Sequence, residues 1–195
     1  MTRDKILEAA INQYSLYNYH GATMRKIAEE VDIKPASIYF FFKNKEELFV
    51  AAFQMLLEKH LLEMKRILNE ARDKSILEIF HSLLIGTIDY HKKNMHETNA
   101  YISLITSPPS EINRFLQEHM KDFDYWFIDS LTDLIKRDKP SISDREASTI
   151  TKQFLLLMDG VFWEINLYDE EELCEQIYHA LHIIAILLGG YEHEK

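Results

Sequence analysis

Residues 23–49, TMRKIAEEVDIKPASIYFFFKNKEELF, leave this chain little conformational choice. Thr23 suits a helix N-cap, because its hydroxyl can accept from a backbone N–H two or three residues on. Ile27, Ala28 and Val31 recur at helical spacing, so a short helix is predicted from Thr23 to about Val31. Asp32 follows at a turn, where tolerance of positive φ is useful. Pro35 then opens a second helix, since it lacks the N–H that the first helical position leaves unpaired. Ile38 and Phe42 are four apart and point inward together, which turns Lys34, Ala36, Ser37, Tyr39 and Phe40 mostly outward. Asn44 caps a third helix, with Glu47 as its capping-box partner. Two short helices across a tight turn, the second with small, hydroxylic and basic groups outside, describe a helix-turn-helix. Its second helix is the one that enters a DNA major groove.

At these residues the chain resembles the TetR family of one-component bacterial regulators. The resemblance rests on Asn18-Tyr19-His20-Gly21-Ala22-Thr23, Ile27-Ala28, Ile38-Tyr39 and Phe42-Lys43-Asn44-Lys45-Glu46-Glu47-Leu48, and covers about the first fifty residues. It implies that Tyr39 and Lys45 hold DNA phosphates and that Thr23 joins them. The expected DNA-binding set is Thr23, Arg25, Lys34, Pro35, Ala36, Ser37, Tyr39, Phe40, Lys43 and Lys45. The chain also departs from the family pattern. Asn18 stands where a Gly usually ends the first helix, and Asn is the commonest substitute there. Asp32 replaces the usual turn Gly. Lys34 replaces a Ser or Thr cap, so the recognition helix is expected to lack a side-chain cap. Phe41 replaces a His or Tyr and removes one phosphate contact.

The charge supports a local DNA face rather than a basic protein. Residues 1–50 carry seven basic and seven acidic side chains, so the net charge of −10 falls entirely on the remainder. Lys34, Lys43 and Lys45 flank the recognition helix, while the acidic bulk weakens non-specific DNA binding, which is mostly electrostatic. A single cysteine, Cys174, rules out an internal disulfide and suits a cytoplasmic setting. No apolar run approaches the length needed to span a bilayer, and the charged N-terminus has no signal-peptide core.

Five Gly and four Pro in 195 residues argue against β-rich or long irregular structure. The spacing predicts an all-α chain of about nine helices. A first helix covers 2–17 and completes a three-helix head with the two above. A long helix from Lys45 to about Arg72 links that head to the rest. Further helices are expected over about 75–93 and 96–106, the latter stopped by Pro108-Pro109. Ser110 is expected to cap a helix reaching about Lys136. Ser143-Asp144-Arg145-Glu146 forms a capping box for a helix to about Tyr168, and Asp169 caps the last, over about 170–188. Gly189-Gly190 ends it, and residues 191–195 are expected to fray. The implied domains are residues 1–45 for DNA binding and 46–195 for effector binding and dimerisation.

The last two helices carry apolar residues on more than one face. Ile177, Leu181, Ile184 and Leu188 make one stripe, and Ala180, Ile183 and Leu187 make a second beside it. A helix apolar on nearly all sides is buried on nearly all sides, and a second copy of the chain is the expected cover. The TetR resemblance implies the same pairing, a homodimer through the last two helices.

The middle helices concentrate aromatic groups with a few polar ones, which is how small molecules are held. The expected ligand set is Tyr90, Tyr101, Phe123, Trp126, Phe127, Met158, Asp159 and Phe162, although an aromatic stripe is more often plain core. Asp159 interrupts an apolar run and needs either an intramolecular donor or a cavity. His179 and His182 are three apart on a helix, but with no Cys or helical acid completing a set, no metal site is expected. There is no nucleophile motif, no phosphate-binding Gly loop and no defined carboxylate pair, so neither enzyme activity nor a cofactor is expected. The reading is a ligand-responsive transcriptional repressor. It would bind a pseudo-palindromic double-stranded DNA operator as a dimer and be released by a small apolar effector. The alternative is a helical dimer that carries a hydrophobic ligand without binding DNA.

Overall fold

The computed structural model describes residues 2–189; Gly190 and the tail expected to fray lie outside them. Among the described residues there are nine helices and no strand: α1 Thr2–Gly21, α2 Met24–Glu30, α3 Pro35–Ile38, α4 Lys45–Ala71, α5 Ile76–Lys93, α6 Met95–Thr106, α7 Asn113–Asp138, α8 Asp144–Glu164 and α9 Glu170–Leu187.

Local chemistry accounts for most of the boundaries. Thr23 caps α2 by accepting from the Lys26 N–H at 3.2 Å. Lys34 makes no side-chain cap to α3, as the missing Ser or Thr implies. Asp32 sits at φ 54° in the turn between them. Asn18 breaks the helical run of α1 at φ 51°, with an extended ψ of −173°, and its carboxamide oxygen accepts from His20 N–H at 3.2 Å. The kinked end of α1 brings position 21 so close to Tyr17 that a Cβ there would lie 2.8 Å from the tyrosine Cβ, so glycine fits and a larger residue crowds. Both acid-closed boxes at Ser143 and Asp169 are present.

Three details differ from expectation. Asn44 Oδ1 accepts from Glu47 N–H at 2.8 Å, but the Glu47 carboxylate returns to the Lys43 N–H, one residue before the cap. Ser110 does not cap α7: its hydroxyl pairs with the Glu111 carboxylate at 3.0 Å, residues 110–112 form a turn, and the helix starts at Asn113. The α8 helix ends at Glu164, because residues 165–167 tighten into a turn in which Ile165 N–H bonds Phe162 O at 3.3 Å.

The chain divides into two compact units, Met1–Leu62 with Lys93–Lys121, and Glu63–Lys92 with Asp122–Lys195. Neither divides at residue 45. In the first unit the head core of Ile6, Ala10, Tyr14, Ile27, Ile38 and Phe42 continues through Leu48, Phe49 and Phe53 of α4. It also takes in Ala100, Leu104, Ile112 and Leu116. Tyr14 meets the Phe53 ring edge-on at 4.8 Å. Burying apolar side chains is what holds α6 against α1, at roughly 1.5–3 kcal/mol for each large residue. In the second unit the Phe154 ring lies between Phe80, tilted against it at 4.4 Å between centroids, and Phe127, stacked at 6.2 Å. Thr87 is buried with them and donates to Leu83 O at 2.7 Å, which satisfies its hydroxyl.

Candidate functional site

The recognition element is α3 and the turn that follows it. Ile38 and Phe42 are buried and anchor this element to the head core. Their inward rotation leaves Lys34, Pro35, Ala36, Tyr39, Phe40 and Phe41 exposed, with Ser37 half-buried among them. Phe40 is 87 % exposed and Tyr39 55 %, an unusual amount of aromatic surface to leave in water. Lys34 and Lys43 are exposed at the two ends, with no ion pair among the described residues. Arg25 projects from α2, where its guanidinium bonds Glu29 at 2.8 Å. Thr23 is exposed, and its oxygen is engaged as the α2 cap.

Lys45 differs from the other cations. Its ammonium donates to the Tyr19 carbonyl at the end of α1 and lies over the Tyr19 and Phe49 rings, 4.5 and 5.8 Å from their centroids. Burial lowers its pKa, and the nearby Glu111 charge works against that shift. Sequence reading placed Lys45 beside DNA and missed this internal role; the clue available was Tyr19, an aromatic residue next to a helix-ending Asn. All ten residues expected at a DNA surface belong to the first unit.

The expected ligand residues divide. Tyr101 belongs to the first unit, with its ring 5.6 Å from His60, and the other seven belong to the second. Phe127, Phe162, Met158 and Phe123 are buried in side-chain packing. The Phe123 and Phe127 rings stack at 5.7 Å, and Phe162 meets His91 at 4.6 Å. Trp126 is the member that lines open space. With Lys65, Leu68, Arg72, Asp129 and Asp133 it borders a cleft of about 360 Å³ between α4 and α7, and the Lys65 ammonium lies 5.3 Å from its ring centroid. The lysine and arginine of that cleft gave no local signal in the sequence.

Among the described residues Asp159 has no intramolecular donor, one of the two alternatives the sequence offers. It stands on the outward side of α8, partly exposed but crowded by protein on its other sides. That loss of solvent, followed by the like charge of Asp124, raises its pKa to about 6. Its neighbours on this side of α8 are Leu156, Gly160 and Trp163, spaced by three or four residues, so they form one stripe, and Leu167 is exposed in the turn beyond the helix. Leu156 is 71 % and Leu167 75 % exposed, and a Cβ added at Gly160 would meet nothing within 4 Å. On α9 the two expected stripes separate only in part: Ile177, Ile184 and Leu188 of the first are buried within the chain with Leu181 half-buried, and of the second Ala180 is buried too, whereas Ile183 and Leu187 face outward with Ile186. His179 lies 3.8 Å from Glu175, a carboxylate the sequence reading left out, and His182 stacks on Tyr178 at 6.1 Å.

A three-helix head bearing a helix-turn-helix, within an all-helical chain, defines the class: a helix-turn-helix protein of the all-α type. Residues 6–52 match the family described as bacterial regulatory proteins, tetR family. Over that N-terminal segment the chain is similar to this family. It is 37% identical over 89 residues to the uncharacterized HTH-type transcriptional regulator YhgD of Bacillus subtilis, covering 45% of this chain and 44% of that protein. It is 26% identical over 129 residues, 66% of each chain, to the biofilm operon icaADBC HTH-type negative transcriptional regulator IcaR of Staphylococcus epidermidis. The chain thus spans between about half and two thirds of these curated relatives. The fold is shared with the transcriptional regulator FadR from Bacillus subtilis in complex with stearoyl-CoA, at TM-score 0.66 and 16% identity, over 97% of this chain and 99% of that one. Among the described residues no helix is long and apolar enough to cross a membrane.

Proposed function

We propose that this protein is a ligand-responsive transcriptional repressor that binds a double-stranded operator as a homodimer and leaves it when a small, largely apolar molecule binds. The observation that carries this reading is the recognition face. Tyr39 and Phe40 stand in solvent between Lys34 and Lys43, within residues 1–50, whose charges balance while the chain as a whole is acidic. Phosphate-facing cations around a groove-sized helix supply affinity, and the side chains between them read the bases. Residues 1–45 serve DNA binding, with Thr23, Tyr39 and Lys43 as phosphate partners. Residues 46–195 serve effector binding and dimerisation.

The outward stripes of α8 and α9 are the proposed dimer face. Leu156, Leu167, Ile183 and Ile186 expose large apolar groups that a second copy would cover, and a twofold pairing is the commonest way to do so. Gly160 in the middle of the α8 stripe leaves space for a partner helix. The effector site is proposed at the Trp126 cleft, where Leu68, Trp126 and Leu134 offer apolar surface beside charged groups of both signs, Lys65 and Arg72 with Asp129 and Asp133, which suits an apolar body with a polar end. One protein of like fold is in complex with stearoyl-CoA, a ligand of that kind, and the name of IcaR describes negative regulation. The α4 helix contributes to both compact units and is the element through which an effector would shift the population of operator-competent dimers.

The test is selection of genomic fragments with the purified protein, followed by titration at several salt concentrations. The reading expects enrichment of one sequence and an affinity that falls steeply with salt. Recovery of no enriched fragment, with only weak salt-independent retention, contradicts it and favours a ligand carrier.

A further inference from the structure

We infer that Phe40 reads thymine, by packing its ring on thymine C5-methyl groups in the major groove; this rests on the DNA-binding reading above. The argument begins with what the recognition face lacks. Bidentate purine recognition needs Arg or Lys for guanine and Asn or Gln for adenine. From Ile33 to Asn44 the chain has no Arg and no Gln, and its one Asn, Asn44, is committed to capping through Oδ1. Lys34 and Ser37 are the polar groups left to reach base edges. The remaining groups are Ala36 and the aromatic residues Tyr39, Phe40 and Phe41.

Position then selects Phe40. It lies four residues beyond Ala36, so the two share one side of the helical turn, and the Phe40 N–H to Ser37 O bond of 3.3 Å keeps that turn wound. Tyr39 carries a hydroxyl suited to a phosphate. Phe41 is only 42 % exposed, against 87 % for Phe40. An isolated Phe ring held in water this fully loses nothing by burial and has no donor or acceptor to spend on a base edge. The apolar group that B-DNA presents in its major groove is the thymine methyl. The cations at either end, Lys34 and Lys43, match a polyanion and disfavour an apolar protein patch as the occupant. Half-sites should therefore contain thymine opposite Phe40, and specificity at that step should come from a methyl group rather than a hydrogen bond.

The experiment starts with a duplex enriched from a random-sequence library by the full-length protein. Every thymine in it is then replaced by deoxyuridine, which keeps each base-pairing and groove hydrogen-bonding group and removes only the methyls. Burying one methyl changes affinity about fourfold, so one methyl in each of two half-sites gives about fifteenfold. Wild type should lose about fifteenfold or more on the uridine duplex. Phe40→Ala should bind the thymine duplex correspondingly weaker and lose little further on uridine, with an unchanged melting temperature, since the side chain is solvent-exposed. Equal affinity of wild type for both duplexes, or an equal uridine penalty in Phe40→Ala, would overturn the inference while leaving DNA binding intact. Failure to enrich any duplex would overturn both.

Discussion

Removing the Lys45 ammonium should weaken the protein before it weakens DNA binding. In Lys45→Ala the Tyr19 carbonyl loses a charged donor, and two rings lose their cation. A hydrogen bond to a charged group contributes about 1.5–3 kcal/mol, and a half-buried site such as this belongs at the low end. The ring contacts add roughly 0.5 kcal/mol. The expected loss is therefore about 2 kcal/mol, which lowers a urea midpoint by about 1 M if the denaturant slope is near 2 kcal/mol/M. Lys43→Ala is the comparison. Its ammonium has no ion pair among the described residues, so its midpoint should stay within about 0.5 kcal/mol of wild type. It should instead lower the slope of log affinity against log salt by about one. Urea unfolding followed by circular dichroism, beside binding titrations at four salt concentrations, separates the two effects. If Lys45→Ala keeps the wild-type midpoint and only flattens the salt slope, the internal clamp is not a stabilising element and Lys45 is simply a phosphate contact.

The carboxyl of Asp159 has a folded pKa above its unfolded one. It therefore opposes folding at high pH, and that cost fades as pH falls through about 6 towards 4. Asp159→Asn should stabilise on the order of 1 kcal/mol at pH 7.5, discounted for partial exposure, and give no gain near pH 4, as read by melting across that range. In α5, a Cβ at Gly86 would sit 2.5 Å from Ile67 Cδ1 and 2.9 Å from its Cγ1, so Gly86→Ala should destabilise by about 1 kcal/mol despite better helix propensity. Calorimetry showing a higher melting temperature would refute that. On the proposed dimer face, Leu167→Asp should give a folded monomer by sedimentation, whereas Ile184→Asp, at a position with no exposed surface, should unfold the second unit. Dimers of undiminished affinity in Leu167→Asp would move the interface elsewhere.

The parts of the fold that depend on neighbours in sequence were readable from it. Thr23, Ser143 and Asp169 announced their helices because a cap lies within four consecutive residues, closed by a carboxylate at Ser143 and Asp169. Asp32 and Asn18 revealed positive φ by residue type alone. What failed depended on distant partners. Ile184 and Ile183 are chemically alike, and only packing within the second unit decides that the first is core and the second is surface. Ala100 and Leu104 pack into the head, a contact no local period encodes, so the first compact unit reaches beyond the head's own helices. The partner of Lys45 is 26 residues away, and the Trp126 cleft joins residues of α4 and α7. Ser110 misled because a Ser before a helical pattern can serve a turn as well as a cap.

The central claim is that two identical heads, joined through α8 and α9, read one duplex. Hydroxyl-radical footprinting of the enriched fragment, with the stoichiometry of the same complex measured by sedimentation, tests it directly. Two protected half-sites should appear, inverted in sequence, with centres about one helical turn or a small multiple apart on one face of the DNA, and two chains bound per site. A single protected patch without inverted symmetry, or one chain per site, would contradict the account.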